Sequence, residues 1–244
     1  MSSTNTNNQN NNNNKDTITI LGFGSLLSEK SSRLTFPDLT NFRLARVPHY
    51  RRVFAHPASI FFQRQIADLR TLQMSSLSVE YVGEGYPGFI ASVFEVPNRD
   101  MMEDGVPSPA FLEREEEFDI VEVPYVPLNQ KQNQSTHNNN KGLICARSTD
   151  QAYLQRWGSE RFDRHFRQYG VDTIWGWEKD SGLRPCAVYL RHCYLAAESM
   201  GCLDSFLDET FLVDRTTTIR TYLKEHPYVL EQLPPEELRG RYSG

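Results

Sequence analysis

The sequence predicts an α+β fold, a small mixed β-barrel with helices packed around it. Two observations carry this. From Phe42 to Val96 short apolar or alternating runs follow one another closely, without the long helical segments that βαβ units need. After Ser148 the apolar residues recur instead at helical spacing.

The first strand is the apolar run Ile18 to Leu21, which leads straight into Gly22-Phe23-Gly24-Ser25. Two glycines around one aromatic let the backbone turn sharply and come close to a ligand. The N–H groups that follow, at Ser25, Leu26 and Leu27, could face an anion or a carbonyl oxygen. The motif is neither a Gly-x-x-x-x-Gly-Lys-Ser/Thr phosphate loop nor a dinucleotide fingerprint, because Leu27 stands where the third glycine belongs. Strands follow from Phe42-x-Leu44, from Val53-Phe54-Ala55 and from the alternation of Leu77, Val79 and Tyr81, with Ile60-Phe61-Phe62 as a further short apolar run. The neighbouring basic cluster Tyr50-Arg51-Arg52 reads as the outward side of a strand. Gly83 to Gly88 is a dense turn signal before a buried strand from Phe89 to Val96, which Pro97 stops.

At Ser108 the pattern changes. Ser108 suits a helix N-cap and Pro109 its first turn. Four carboxylates follow, at Glu113, Glu115, Glu116 and Glu117. On a helical wheel Glu115 lies between Phe111 and Leu112 and Glu116 beside Leu112, so either can face a pocket; Glu113 and Glu117 point towards solvent. Strand-like stretches at Asp119–Val126 and Leu143–Ala146 flank an Asn-rich tract at about 129–141, read as an expanded hairpin loop. Ser148-Thr149-Asp150-Gln151 offers a capping box for a helix carrying Tyr153, Leu154, Trp157, Phe162 and Phe166, with Gly170 as its end. Trp175-Gly176-Trp177 reads as core. Pro185 opens a helix from Cys186 to Met200, stopped by Gly201, and a last helix covers Thr217 to Leu223. The stretch from Pro234 to Tyr242 is expected to wrap over the body.

Residues 1–16 form an Asn-rich tract with almost no apolar content, expected to be disordered, ahead of one domain spanning 17–244. The net charge of −5 gives no electrostatic footprint for nucleic acid. No apolar stretch approaches a membrane span, and the first residues lack the pattern of a secretory signal. Cys145, Cys186, Cys193 and Cys202 show no Cys-x-x-Cys spacing, so a cytoplasmic, reducing compartment is expected. His49 and His56 flank a strand without a clear third ligand, so no metal site is expected.

The loop and the acidic segment together resemble the gamma-glutamylcyclotransferase-like superfamily, which includes the ChaC-type enzymes and the gamma-glutamylamine cyclotransferases. The family loop usually reads Tyr-Gly-Ser-Asn/Leu-Leu, and here the residues are Phe23-Gly24-Ser25-Leu26-Leu27. Its acidic segment usually reads Tyr/Leu-Leu-Asp-x-x-Glu, and here it is Phe111-Leu112-Glu113-Arg114-Glu115-Glu116. The resemblance covers residues 17–127. It implies the mixed barrel, Glu116 as catalytic general base and acid with Glu115 as runner-up, and substrate contacts from Gly22, Phe23, Gly24, Ser25 and Leu26. It also implies a small gamma-glutamyl substrate, closed to 5-oxoproline without metal or organic cofactor. Two departures stand out: Phe23 lacks the usual tyrosine hydroxyl, and Glu117 stands where many members carry glycine. A related amide hydrolase and a non-catalytic binding module on the same fold remain alternatives.

Overall fold

The computed structural model describes residues 17–98, 101–103, 105–128 and 140–244. The tail 1–16 and nearly all of the Asn-rich tract lie outside the described residues. The strands are β1 (Thr17–Gly22), β2 (Thr40–Val47), β3 (Tyr50–Pro57), β4 (Gln73–Tyr81), β5 (Phe89–Pro97), β6 (Met102–Glu103), β7 (Val106–Pro107), β8 (Asp119–Pro124), β9 (Val126–Pro127), β10 (Lys141–Ala146), β11 (Arg184–Pro185) and β12 (Thr210–Leu212). The helices are α1 (Glu29–Thr35), α2 (Ser59–Gln63), α3 (Pro109–Arg114), α4 (Asp150–Trp157), α5 (Ser159–His165), α6 (Ala187–Ser199), α7 (Leu203–Asp208) and α8 (Ile219–Glu225).

The large sheet runs β12-β3-β4-β10-β1-β5-β2-β9, with β11 beside β4 and β8 beside β10. It is mixed: β1 runs parallel to β10 and antiparallel to β5. The mixed sheet with surrounding helices agrees with the sequence, but a closed barrel is not shown. Among the described residues β12 and β9 end the path unpaired with each other, and the sheet branches at β10. That strand pairs with β8 along its whole length and meets β1 only at Ile20↔Leu143 and β4 only at Ala146↔Val79. Closure depends on registers between strands remote in sequence, which strand spacing does not encode.

Several other expectations are corrected. Ile60-Phe61-Phe62 lies in α2 rather than a strand, with Phe61 and Phe62 in two different core clusters. Arg52 does not face outward; it is fully buried between the rings of Phe89 and Phe206. Its guanidinium donates to Thr210 Oγ1 at 2.7 Å and to the carbonyls of Phe23 at 3.1 Å and Ile90 at 3.2 Å, which makes burial of the charge tolerable. The segment expected as one helix up to Gly170 is broken at Gly158, whose φ of 80° lies in the left-handed region and separates α4 from α5. The cap of α4 is Thr149, accepting from Ala152 N. The helix after Pro185 and the short helix after Thr218 form as expected. Trp175 is core, stacked on His56 at 4.3 Å between ring centroids. His56 is fully buried, and burial together with nearby Arg147 lowers its pKa to about 3. Among the described residues no helix is long and apolar enough to cross a membrane.

Candidate active site

The acidic segment and the glycine loop line one cavity of about 430 Å³. Each is positioned by a different device. β1 delivers the loop, where Gly22 sits opposite Ser92 of β5. A Cβ on Gly22 would stand 2.4 Å from Ser92 Oγ and 2.6 Å from Leu26 Cβ, so glycine is needed for close approach across the strands. A Cβ on Gly24 would meet Tyr189 Oη at 2.5 Å. Neither glycine has a positive φ, so proximity rather than backbone handedness selects them. The loop carbonyls are occupied: Ser92 Oγ donates to Leu26 O at 2.6 Å, as does Ser32 Oγ at 2.8 Å, and Arg52 holds Phe23 O. The peptide is planar and trans, so a Phe23 carbonyl aimed at Arg52 turns the Gly24 N–H the other way. Ser25–Leu27 then make one 3-10 turn, closed by Leu27 N–H to Gly24 O at 3.0 Å. The phenol of Tyr189, on α6, faces the Ser25 N–H, Ser76 and Cys193, and burial raises its pKa.

α3 begins where the sequence says. Ser108 caps it, accepting from Phe111 N at 3.2 Å, and Pro109 is its first residue. It ends at Arg114, so the wheel does not extend to the last three glutamates. The chain turns there into β8, and this corrects the expected orientations. Glu113 is solvated, at 63% side-chain exposure. Glu115 is half-buried and paired with Arg114 at 3.0 Å; burial raises its pKa, and it faces Cys145. Glu116 is buried, as the motif implies. Glu117, expected in solvent, is buried as well.

The two buried carboxyls share Ser59 at the start of α2. Its Oγ donates to Glu116 Oε1 at 2.7 Å, and its N–H donates to Glu117 Oε1 at 2.8 Å. Glu116 also has Arg161 Nε 2.6 Å from Oε2 and His165 Nδ1 2.7 Å from Oε1. Indole N–H groups pin the turn itself, Trp157 to Glu116 O at 3.0 Å and Trp175 to Glu117 O at 3.1 Å. Burial, and then the charge of Glu116, push the Glu117 carboxyl up to about 7.

All the expected site residues, Gly22 to Leu26 with Glu115 and Glu116, line the cavity. Ser59, Arg161, His165 and Tyr189 were missed by the sequence reading, and Glu117 was noted as a departure from glycine but expected in solvent. The spacing of Arg161 and His165, four apart on α5, puts both on one helix face and is the one signal that could have pointed to them. Arg241 and Tyr242 also line the cavity, where the C-terminal segment was expected to fold over the body; Tyr242 is buried and accepts from Arg64 at 2.9 Å. Among the described residues no group of three or more His, Cys, Asp and Glu side chains is placed to hold a metal.

No protein-family model matches the chain, and no curated protein matches it in sequence. Similar solved structures include a gamma-glutamyl cyclotransferase, 12% identical with a TM-score of 0.37 over 61% of this chain and 86% of that one. Another is a gamma-glutamyl cyclotransferase specific to glutathione from yeast, 13% identical with a TM-score of 0.32 over 91% of this chain and 90% of that one. A third is a human protein described as uncharacterized, 14% identical with a TM-score of 0.32 over 54% of this chain and 65% of that one.

Proposed function

We propose that this protein is a gamma-glutamyl cyclotransferase, closing a gamma-glutamyl peptide or amine to 5-oxoproline and releasing the amine. One observation supports this above the others: a single cavity is lined both by the glycine loop and by the buried Glu116–Glu117 turn. In such a substrate the nucleophile and the electrophile belong to one molecule, the α-amine and the γ-carbonyl carbon. Holding it folded supplies much of the rate through proximity. The α-ammonium loses two protons as its nitrogen becomes the lactam N–H. The amide nitrogen gains two as it departs as an ammonium, so no net proton is consumed. A buried carboxyl that alternates as base and acid is enough to move them. Motif and burial both favour the turn at Glu116 for this work, with the half-buried Glu115 as the weaker candidate. The Gly24 N–H, turned away from Arg52, is suited to the carbonyl oxygen as it gains charge.

The test is incubation with glutathione and a panel of gamma-glutamyl amino acids and amines, with products read by mass spectrometry. 5-Oxoproline is the expected product. Glutamate instead would mean hydrolysis, and binding without either product would mean a non-catalytic module. Glu116→Gln is expected to lower turnover more than Glu115→Gln does. The reverse order would move the chemistry to Glu115.

A further inference from the structure

We propose that Glu117, rather than Glu116, is the residue that carries the proton, and that Glu116 is a fixed anion that positions it. The proposal rests on the cyclotransferase reading and refines its chemistry.

The argument begins with what each carboxyl already holds. Glu116 has a partner on each oxygen: Ser59 Oγ donates to Oε1 and His165 Nδ1 lies against it, both at 2.7 Å, and Arg161 Nε donates to Oε2 at 2.6 Å. Three such contacts, one of them from a guanidinium, engage both oxygens of Glu116 and fix its place. The ion pairs of this segment go to Glu113, Glu115 and Glu116, and Glu117 forms none among the described residues. Its Oε1 accepts the Ser59 N–H, and the Trp175 indole fixes its backbone carbonyl, so the carboxyl is anchored without a compensating charge. Two adjacent buried carboxyls, of which only Glu116 is paired with the guanidinium of Arg161, favour one anion and one protonated acid.

The groups facing Glu117 are consistent with this. They are Glu116 beside it, the buried Tyr153 on α4 and the half-buried Cys145 on β10. Arg161 and His165 on α5 lie beyond Glu116, and His56 on β3 is neutral against Phe118 and Trp175. A carboxyl held at about 7 is half-titrated near neutral pH, which suits a group that must first accept and then return a proton.

The steps balance. The Glu117 carboxylate takes a proton from the α-ammonium, and the freed lone pair forms a bond to the γ-carbonyl carbon as the C=O π pair moves onto oxygen, to return when the leaving nitrogen departs. The bond from that carbon to the departing nitrogen then breaks as Glu117 gives its proton to that nitrogen. The ring nitrogen's second proton follows the same path.

Two measurements test this. Carboxyl ¹³C NMR on protein labelled at glutamate Cδ is expected to show one glutamate titrating near 7 without substrate. That signal should be absent in Glu117→Gln and shifted to lower pH in Glu116→Gln, where the neighbouring anion is gone. In kinetics, the pH profile of kcat/KM is expected to bend near 7 in the unsubstituted protein. Glu117→Gln should lose ~10²–10⁴-fold and the bend with it, while Glu116→Gln should keep measurable turnover with the bend moved down. Glu117→Asp keeps a carboxyl and should retain a bend, which covers the case of a poorly folded Gln variant. No glutamate titrating above pH 6, or a Glu117→Gln protein that keeps both activity and bend, would overturn the proposal. If no gamma-glutamyl compound yields 5-oxoproline, the cyclotransferase reading fails, while the NMR titration still decides the state of the pair.

Discussion

The two walls of the cavity are held in opposite ways. The glycine loop is fixed through its carbonyls: Phe23 O by Arg52, and Leu26 O by Ser92 and Ser32. No carboxylate lies within ion-pair distance of Arg52 among the described residues, and burial lowers its pKa to about 10, so it stays charged over the ordinary pH range. The acidic turn is fixed through its side chains, by Ser59 from α2 and by Arg161 and His165 from α5. The first wall is a rigid backbone surface indifferent to pH. The second is an electrostatic cluster whose state changes with the proton. A site that offers constant donors on one side and a movable proton on the other needs this division.

The sharpest way to break the loop is Arg52→Met. It leaves buried carbonyls without their donor, each at a cost of about 1–3 kcal/mol, so a loss of at least about 3 kcal/mol is expected. Urea unfolding at pH 5 and pH 8 should show nearly the same loss at both. Arg52→Lys should not restore it, because an ammonium cannot span Thr210 on one side and the Phe23 and Ile90 carbonyls on the other. A loss under about 1 kcal/mol would mean that the strands alone shape the loop.

The acidic turn should respond to pH instead. Its folded-state pKa of about 7 lies above the ordinary 4.5, so the folded protein holds this proton more tightly than the unfolded chain does. The resulting stabilisation is complete below about pH 4.5 and is lost as pH rises through about 7, a change of roughly 3 kcal/mol. Glu117→Gln removes this dependence. It should therefore be more stable than its parent at pH 8 and close to it at pH 5, as read from denaturant midpoints. Parallel stability curves for the two proteins would show that the carboxyl is not held neutral.

The smallest effect is expected at Phe23→Tyr. The ring is buried at the cavity wall, and the change adds only a hydroxyl that can face the cavity. A stability change below about 1.5 kcal/mol is expected in a thermal melt. A larger loss would mean that the ring is enclosed on every side and that the loop presents only its backbone to a ligand.

Local signals explain what could be read in advance. β1, the turn after it, the Ser108-Pro109 helix start and the Gly201 stop all rest on neighbours a few residues away, and each forms as expected. The errors fall where the deciding partner is distant. Arg52 reads as a surface cation because nothing near it in sequence shows Thr210, Phe206 and the Phe23 carbonyl closing around it. Glu117 reads as solvated because the wheel assumes a helix that has already ended at Arg114.

The sequence by itself determined that a glycine loop follows the first strand and that a short capped helix delivers a run of glutamates. Strand, cap and turn propensities act over one or two turns of chain, so the residues involved are visible side by side. Only the tertiary structure decided which glutamates are buried and what they touch. Those contacts come from α2, α5 and the indoles of Trp157 and Trp175, brought together when the sheet and its helices pack. Burial and opposing charge act through space, so the same four glutamates become a surface charge, a paired half-buried acid, a buried acid bound to Arg161 and a carboxyl pushed up to about 7.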